Sequence, residues 1–102
     1  MDIKDIQSKC SDGNIVWSKH AVDRMLSRNI KRNDVINCIM NGEIIEEYPD
    51  YWLSPACLVY GLNTSDAVLH VVVGNDGTKI YIVTVYHPTT EKFESDLKTR
   101  KR

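Results

Sequence analysis

Cysteine is sparse and unpaired in this chain. Cys10, Cys38 and Cys57 make an odd number with no CxxC spacing, which argues against a disulfide framework or a zinc ribbon and leaves reduced, mostly buried thiols as the expectation. Histidine is equally thin. His20, His70 and His87 show no HxH or HxxxH spacing, only Asp23 stands near the helix histidine, and neighbouring arginines would repel a cation. Neither a metal nor another cofactor is therefore expected. Long apolar runs are missing too: Val71 to Val73 and Ile80 to Val83 are far too short to cross a bilayer, and no basic-then-apolar leader opens the sequence. The expectation is a cytoplasmic protein with no membrane role. No repeat or low-complexity tract interrupts the chain.

What remains is ordinary globular material. The 42% hydrophobic and 26% charged fractions need neither disorder nor a fibrous architecture to explain them. A length of 102 residues suits one domain and one modest core, spanning residues 1 to 102 with its core in about 15 to 97. The net charge of -1 conceals an asymmetry, because residues 1 to 42 and the last five residues are basic while the stretch from 43 to 97 is acidic. Contact with a polyanion must then be local. Four cations in the last five residues, Lys98 to Arg102, predict a mobile basic tail.

Ile3, Ile6 and Cys10 recur at helical spacing and stop at Asp12-Gly13, predicting a short first helix over residues 2 to 11. After an extended piece from Ile15 to Trp17, Ser18 stands where an N-cap belongs, and a helix from about Lys19 to Arg28 follows. Its Val22, Met25 and Leu26 cluster on one side, with His20, Arg24, Arg28 and Lys31 opposite. Asn33 to Asn41 repeats the pattern, with Val35, Ile36, Ile39 and Met40 inward and Asp34, Asn37 and Asn41 outward, closing at Gly42 in a left-handed cap.

From Glu43 onward, short β-branched and aromatic runs predict strands at about 43 to 48, 56 to 62, 67 to 74 and 79 to 86. A loop bracketed by Pro49 and Pro55 carries Tyr51 and Trp52. Turn signals at Asn63 to Asp66 and at Asn75-Asp76-Gly77 make the strands an antiparallel meander. Phe93 and Leu97, four residues apart, suggest a short terminal helix. The fold class is therefore α+β, N-terminal helices packed on a four-stranded antiparallel meander sheet. The last two strands are apolar on both faces, so a loop, a tail or a second copy of the chain should cover the face the helices leave open.

Two features carry candidate chemistry. His20, Arg24 and Arg28 stand at i, i+4 and i+8 on one helix edge, with Lys31 beyond. Guanidinium forks so aligned suit phosphate oxygens, and a histidine beside them can move a proton near neutral pH. The plainer reading is a solvated basic face balanced by the acidic middle, Glu43, Glu46 and Glu47 included. His70 lies inside Val68-Leu69-His70-Val71-Val72-Val73, where an imidazole must find hydrogen-bond partners, a ligand or solvent. A satisfied core histidine is the competing reading. Tyr86 could position a phosphate or donate a proton, or simply pack. A two-residue turn at Asp76-Gly77 pairs His70 with Val83 and puts Tyr86 on the other face, whereas a three-residue turn pairs it with Ile82 and puts Tyr86 on the same face.

The run Trp17-Ser18-Lys19-His20-Ala21 with Arg24, Met25, Arg28 and Ile30, then Asn41-Gly42-Glu43-Ile44-Ile45-Glu46, Tyr48-Pro49, Cys57-Leu58, Gly61, His70-Val71-Val72-Val73, Val83-Thr84-Val85-Tyr86 and Pro88 resembles the bacterial domain of unknown function 4258 family. That family resembles in turn the RelE/ParE toxins. The resemblance implies a RelE/ParE-like fold and a metal-independent endoribonuclease of toxin-antitoxin type, in which His20 and His70 exchange protons with a ribose 2′-hydroxyl and the leaving oxygen. It carries Tyr86 over as a further site residue, while Arg24 and Arg28, with Lys31 beside them, would hold the phosphate. An antitoxin protein and RNA or the ribosome are the partners it implies. The alternative is a non-catalytic ParE-like protein-binding module or a degenerate regulatory domain.

Overall fold

The computed structural model describes residues 1–51 and 53–102, so the expectation for Trp52 lies outside the described residues. Three helices, α1 (Ile3–Ser11), α2 (Lys19–Ser27) and α3 (Arg32–Asn41), accompany five strands, β1 (Ile15–Trp17), β2 (Glu43–Tyr48), β3 (Ala56–Leu62), β4 (Val68–Asn75) and β5 (Ile80–Tyr86). The sheet runs β1-β5-β4-β3-β2. The four strands expected from residue 43 form an antiparallel meander, but the sheet is mixed and five-stranded because Ile15–Trp17 pairs parallel with Ile80–Ile82.

Local chemistry explains the helix ends. Asp2 caps α1 by accepting from the Lys4 amide, and Ser18 Oγ accepts from the Ala21 amide at the start of α2. Asp34, expected to point outward, is instead buried. Its carboxylate accepts from the Lys31 amide and from both the amide and the hydroxyl of Thr64. These bonds tie the start of α3 to the turn between β3 and β4 and hold the carboxyl below its usual range, the Thr64 hydroxyl chiefly responsible.

Leu26 and Met40 also depart from expectation, both lying exposed near the ends of their helices. Gly42 is not left-handed, having φ -94°. Glycine is required there for space, since a Cβ would lie 2.8 Å from the Tyr60 carbonyl oxygen and closer still to that of Cys38. Gly61 faces the same Cys38 carbonyl from β3, so α3 and β3 touch backbone to backbone.

The main core lies between the helices and one sheet face, gathering Ile6, Met25, Val35, Ile39, Val71 and Ile82 among its buried residues. The Cys10, Cys38 and Cys57 thiols are free and buried, and burial pushes Cys38 and Cys57 each up to about 12.

Two irregularities decide which side chains reach the opposite, outer face. In β2 the register shifts between Ile44 and Glu46, so Ile44 packs on the core while Glu46 is aligned with Leu58 on the outer face. In β5 the shift around Val83 keeps Ile80, Ile82 and Val85 inward and brings Tyr86 directly opposite His70. Neither two-residue nor three-residue turn applies. Asn75 pairs with Ile80 around a four-residue connection, and the bulge adds one more step.

Because β1 covers only Ile80 to Ile82, α2 occupies the outer edge of the rest of β5. Ser18 donates through its amide to Ile82 O and through its hydroxyl to Val83 O, both at 3.4 Å, and Arg28 Nη1 donates to Val85 O at 2.7 Å. The expected C-terminal helix is absent. Residues 88 to 102 instead form a strap that doubles back, with Glu94 N donating to Thr99 O and Lys101 N to Lys92 O. The Asp96 carboxylate accepts from the amides of Lys98 and Thr99, and Leu97 takes φ 59°, a turn geometry incompatible with continued helix. Nor is the basic end left free along its whole length: Lys98 reaches Glu43, and Arg100 reaches Glu46.

Candidate functional site

The outer face carries a row from β3 through β4 to β5, Tyr60, His70 and Tyr86, with the strap folded over it. His70 is fully buried. Its Nε2 lies 2.7 Å from the Leu97 carbonyl oxygen and its Nδ1 3.2 Å from the Tyr86 hydroxyl. A carbonyl can only accept, so Nε2 carries the proton in the neutral ring and Nδ1 accepts from Tyr86. Phe93 meets the imidazole edge to face at 4.7 Å. Burial pushes the His70 pKa down, with the Leu97 carbonyl and Glu46 opposing and Arg100 adding to the fall. Tyr86 is pushed up, again chiefly by burial.

Around this node the strap is held by charge. Arg100 makes a two-pronged contact with Glu46, Nε to one carboxylate oxygen at 3.1 Å and Nη2 to the other at 3.0 Å, while its guanidinium lies 4.8 Å from the Phe93 ring centre. Glu46 is held below its usual range by the Arg100 hydrogen bond first and by that from Tyr48. Lys98 lies over Tyr60 at 4.7 Å while paired with Glu43.

The strap also builds a cleft of about 580 Å³ against the end of β5 and of α2. Arg28, Lys92, Arg100, His87, Tyr86 and Thr89 contribute to its wall, and among the described residues no carboxylate lines it. His87 is exposed, and its Nδ1 donates to Val68 O at 3.1 Å, a contact that leaves Nε2 unprotonated in the neutral ring. Lys92, the remaining donors of Arg28 beyond its bond to Val85 O, and Arg100, already paired with Glu46, join an imidazole and a phenol around one opening, a site suited to an anion with several oxygens.

A second opening, of about 750 Å³, lies on the outer face beyond the reach of the strap. It is predominantly apolar, with Tyr48, Tyr51, Leu53, Val72 and Tyr81 in its walls and His20 at the α2 side.

The residues expected to act together are thus divided. Arg28 and Tyr86 meet in the cationic cleft, whereas His20 belongs to the apolar groove and His70 is closed beneath the strap. The anticipated meeting of His20 and His70 in one pocket does not occur. The reason is that His70 satisfies both ring nitrogens internally, while His20 stands two helical turns from the cleft end of α2. Arg24 is exposed on α2 between His20 and Arg28, and Lys31 is exposed at the start of α3. His87, Lys92 and Arg100 are cleft residues that the sequence reading did not select. The only local hint was the adjacency of His87 to Tyr86 and the recurrence of cations after Pro88.

The pattern that runs from Trp17 into the end of β5 is the decisive comparison: the family described as domain of unknown function (DUF4258) matches residues 17–87. The chain belongs to that family. The matched segment takes in α2, α3, every strand from β2 to β5, His70, Tyr86 and His87, and it ends before the strap. No curated protein and no solved structure matches the chain. No described helix is long and apolar enough to cross a membrane.

Proposed function

We propose that this DUF4258 protein acts on RNA as a metal-independent endoribonuclease of toxin type, with its site in the cationic cleft. The observation that carries the reading is the carboxylate-free lining by Arg28, Lys92, Arg100, His87 and Tyr86. A phosphodiester entering the cleft would exchange water for guanidinium and ammonium donors, whose attraction grows as negative charge develops on the phosphorus oxygens. His87 Nε2, available because Nδ1 is committed to Val68 O, would take the proton of a ribose 2′-hydroxyl. The freed oxygen would attack phosphorus, the bond to the 5′ oxygen would break, and the Lys92 ammonium would protonate that leaving oxygen. The products are a 2′,3′-cyclic phosphate and a free 5′-hydroxyl. His70 enters as a positioning residue that fixes Tyr86 and the strap, in place of the proton-transfer role the sequence suggested.

The experiment is cleavage of single-stranded RNA by the purified protein in a metal chelator, alone and with ribosomes. Fragments ending in cyclic phosphate, lost on His87→Ala and on Arg28→Ala, are the expected result. Intact RNA with folded wild-type protein under both conditions would refute the reading. The second reading, a non-catalytic ParE-like module that binds a protein partner such as an antitoxin, is favoured by the apolar groove. It predicts partner capture unaffected by His87→Ala.

A further inference from the structure

We infer that the apolar groove on the outer face is a base-stacking platform for single-stranded RNA, continuous with the phosphate cleft along α2 and β5. The inference rests on the RNA reading of the cleft and names the form of nucleic acid that the site would take.

The two openings share the same pair of elements. Helix α2 contributes His20 to the groove and Arg28, the residue just past its end, to the cleft, and β5 contributes Tyr81 to the groove and Tyr86 to the cleft. Eight residues of helix separate the first pair, about 12 Å. Midway along that line stands Arg24, one turn from each, exposed and in no ion pair among the described residues. A cation between an anion-binding cleft and an aromatic groove suits a strand that alternates phosphates with flat bases.

The groove has the matching chemistry. Tyr48, Tyr51 and Tyr81 are half-buried, so part of each side chain remains open, and Val72 and Leu53 supply further apolar surface. Base faces stack on such rings with little sequence preference. A duplex would hide those faces within its own stack, so the arrangement favours an unpaired strand. Two further details keep the rings in place. The Tyr81 hydroxyl donates to Asp76 at 2.8 Å and the Tyr48 hydroxyl to Glu46 at 2.6 Å, fixing their outer ends.

The test uses a short single-stranded RNA with methylated 2′-hydroxyls, which cannot be cut, and an abasic strand of the same length, titrated by fluorescence anisotropy. Tyr51→Leu and Tyr81→Leu should each weaken binding of the methylated RNA roughly tenfold and leave the abasic strand unaffected. Arg24→Ala should lower the salt dependence of both by roughly 0.7 in the logarithmic slope, as expected for one lost phosphate contact.

Binding that depends on Arg28 and Lys92 but is equal for both strands and insensitive to Tyr51→Leu would overturn the platform while leaving the RNA reading standing. No binding by folded wild-type protein would overturn both. Sedimentation showing a dimer that Tyr51→Leu disperses, with RNA affinity unchanged, would assign the groove to a second copy and likewise end the inference. Should Tyr81→Leu fail to fold, Tyr51→Leu and the abasic strand decide the matter alone.

Discussion

Replacing His70 with leucine tests the node that fastens the strap to the sheet. The ring is fully buried and uses both nitrogens, one on the Leu97 carbonyl and one on the Tyr86 hydroxyl. Leucine fills similar volume but abandons both partners, each costing about 1–3 kcal/mol if it stays unsatisfied. The leucine recovers some of that through apolar burial, and partial release of the strap would let the Leu97 carbonyl reach water. A net loss of about 3 kcal/mol is expected, corresponding to a fall in melting temperature of roughly 15 °C for a domain of this size. Tyr86→Phe should cost about 1–2 kcal/mol, since only Nδ1 is left without a donor. The two changes should not add, because they share one hydrogen bond. Urea denaturation of the two single variants and the double variant measures the coupling, and hydrogen exchange at Leu97 to Lys101 should accelerate in His70→Leu. A His70→Leu protein melting within a few degrees of wild type, with unchanged exchange in the strap, would refute this account of the node.

Protonation should weaken the same node. Because burial lowers the folded His70 pKa below its ordinary 6.5, the unfolded chain takes up the proton first. The stability that neutral His70 contributes is present above pH 6.5 and lost as pH falls through the folded value. The stability difference between wild type and His70→Leu, followed from pH 7.5 to 5, should shrink. Arg100→Met removes a pair that is substantially solvent-exposed on the arginine side, so its cost should stay below about 1 kcal/mol and diminish with added salt in thermal melts. Gly61→Ala places a methyl group against the Cys38 backbone and should cost about 3 kcal/mol by chemical denaturation, because neither α3 nor β3 can retreat cheaply. Lys92→Ala should weaken RNA binding at low salt and flatten its salt dependence without altering the melting curve, a combination that separates a ligand contact from a structural one.

Much of the architecture was written in periodicity. The apolar spacing in α2 and α3, the Ser18 cap and the turn signals between strands marked the two central helices and the meander, because each is a short-range pattern. Pairing of Ile15–Trp17 with β5 was hidden, since three residues carry little periodicity and a parallel partner lies far away in sequence. Asp34 misled for a related reason. Its helical position reads as outward, yet its partners come from Thr64 in a distant turn.

The site was partly legible. Arg28 and Tyr86 were selected on chemistry and do share a cleft, and the polar intruder His70 did signal an unusual environment. What could not be read was the bulge around Val83. The spacing of Ile80, Ile82 and Val85 contains the phase change in retrospect, but a break in alternation does not reveal which residue is extra. The strap was misread because Phe93 and Leu97 match a helical interval, whereas the turn is set by Asp96 accepting from two following amides.

The two sheet margins have a bearing on how the protein keeps company in a crowded solution. One margin is the three-residue β1, continued by α2, whose flanking Ser18 and Arg28 occupy the carbonyls of Ile82, Val83 and Val85 that an incoming chain would want. The other is β2, where the backbone is kinked, Glu43 and Glu47 face solvent, and the amino terminus rests on Glu47. Lateral growth into ribbons is therefore discouraged at both margins, by occupation on one side and by distortion and hydrated, ion-paired side chains on the other. A straightened β2 stripped of its acids would be the place where self-association begins.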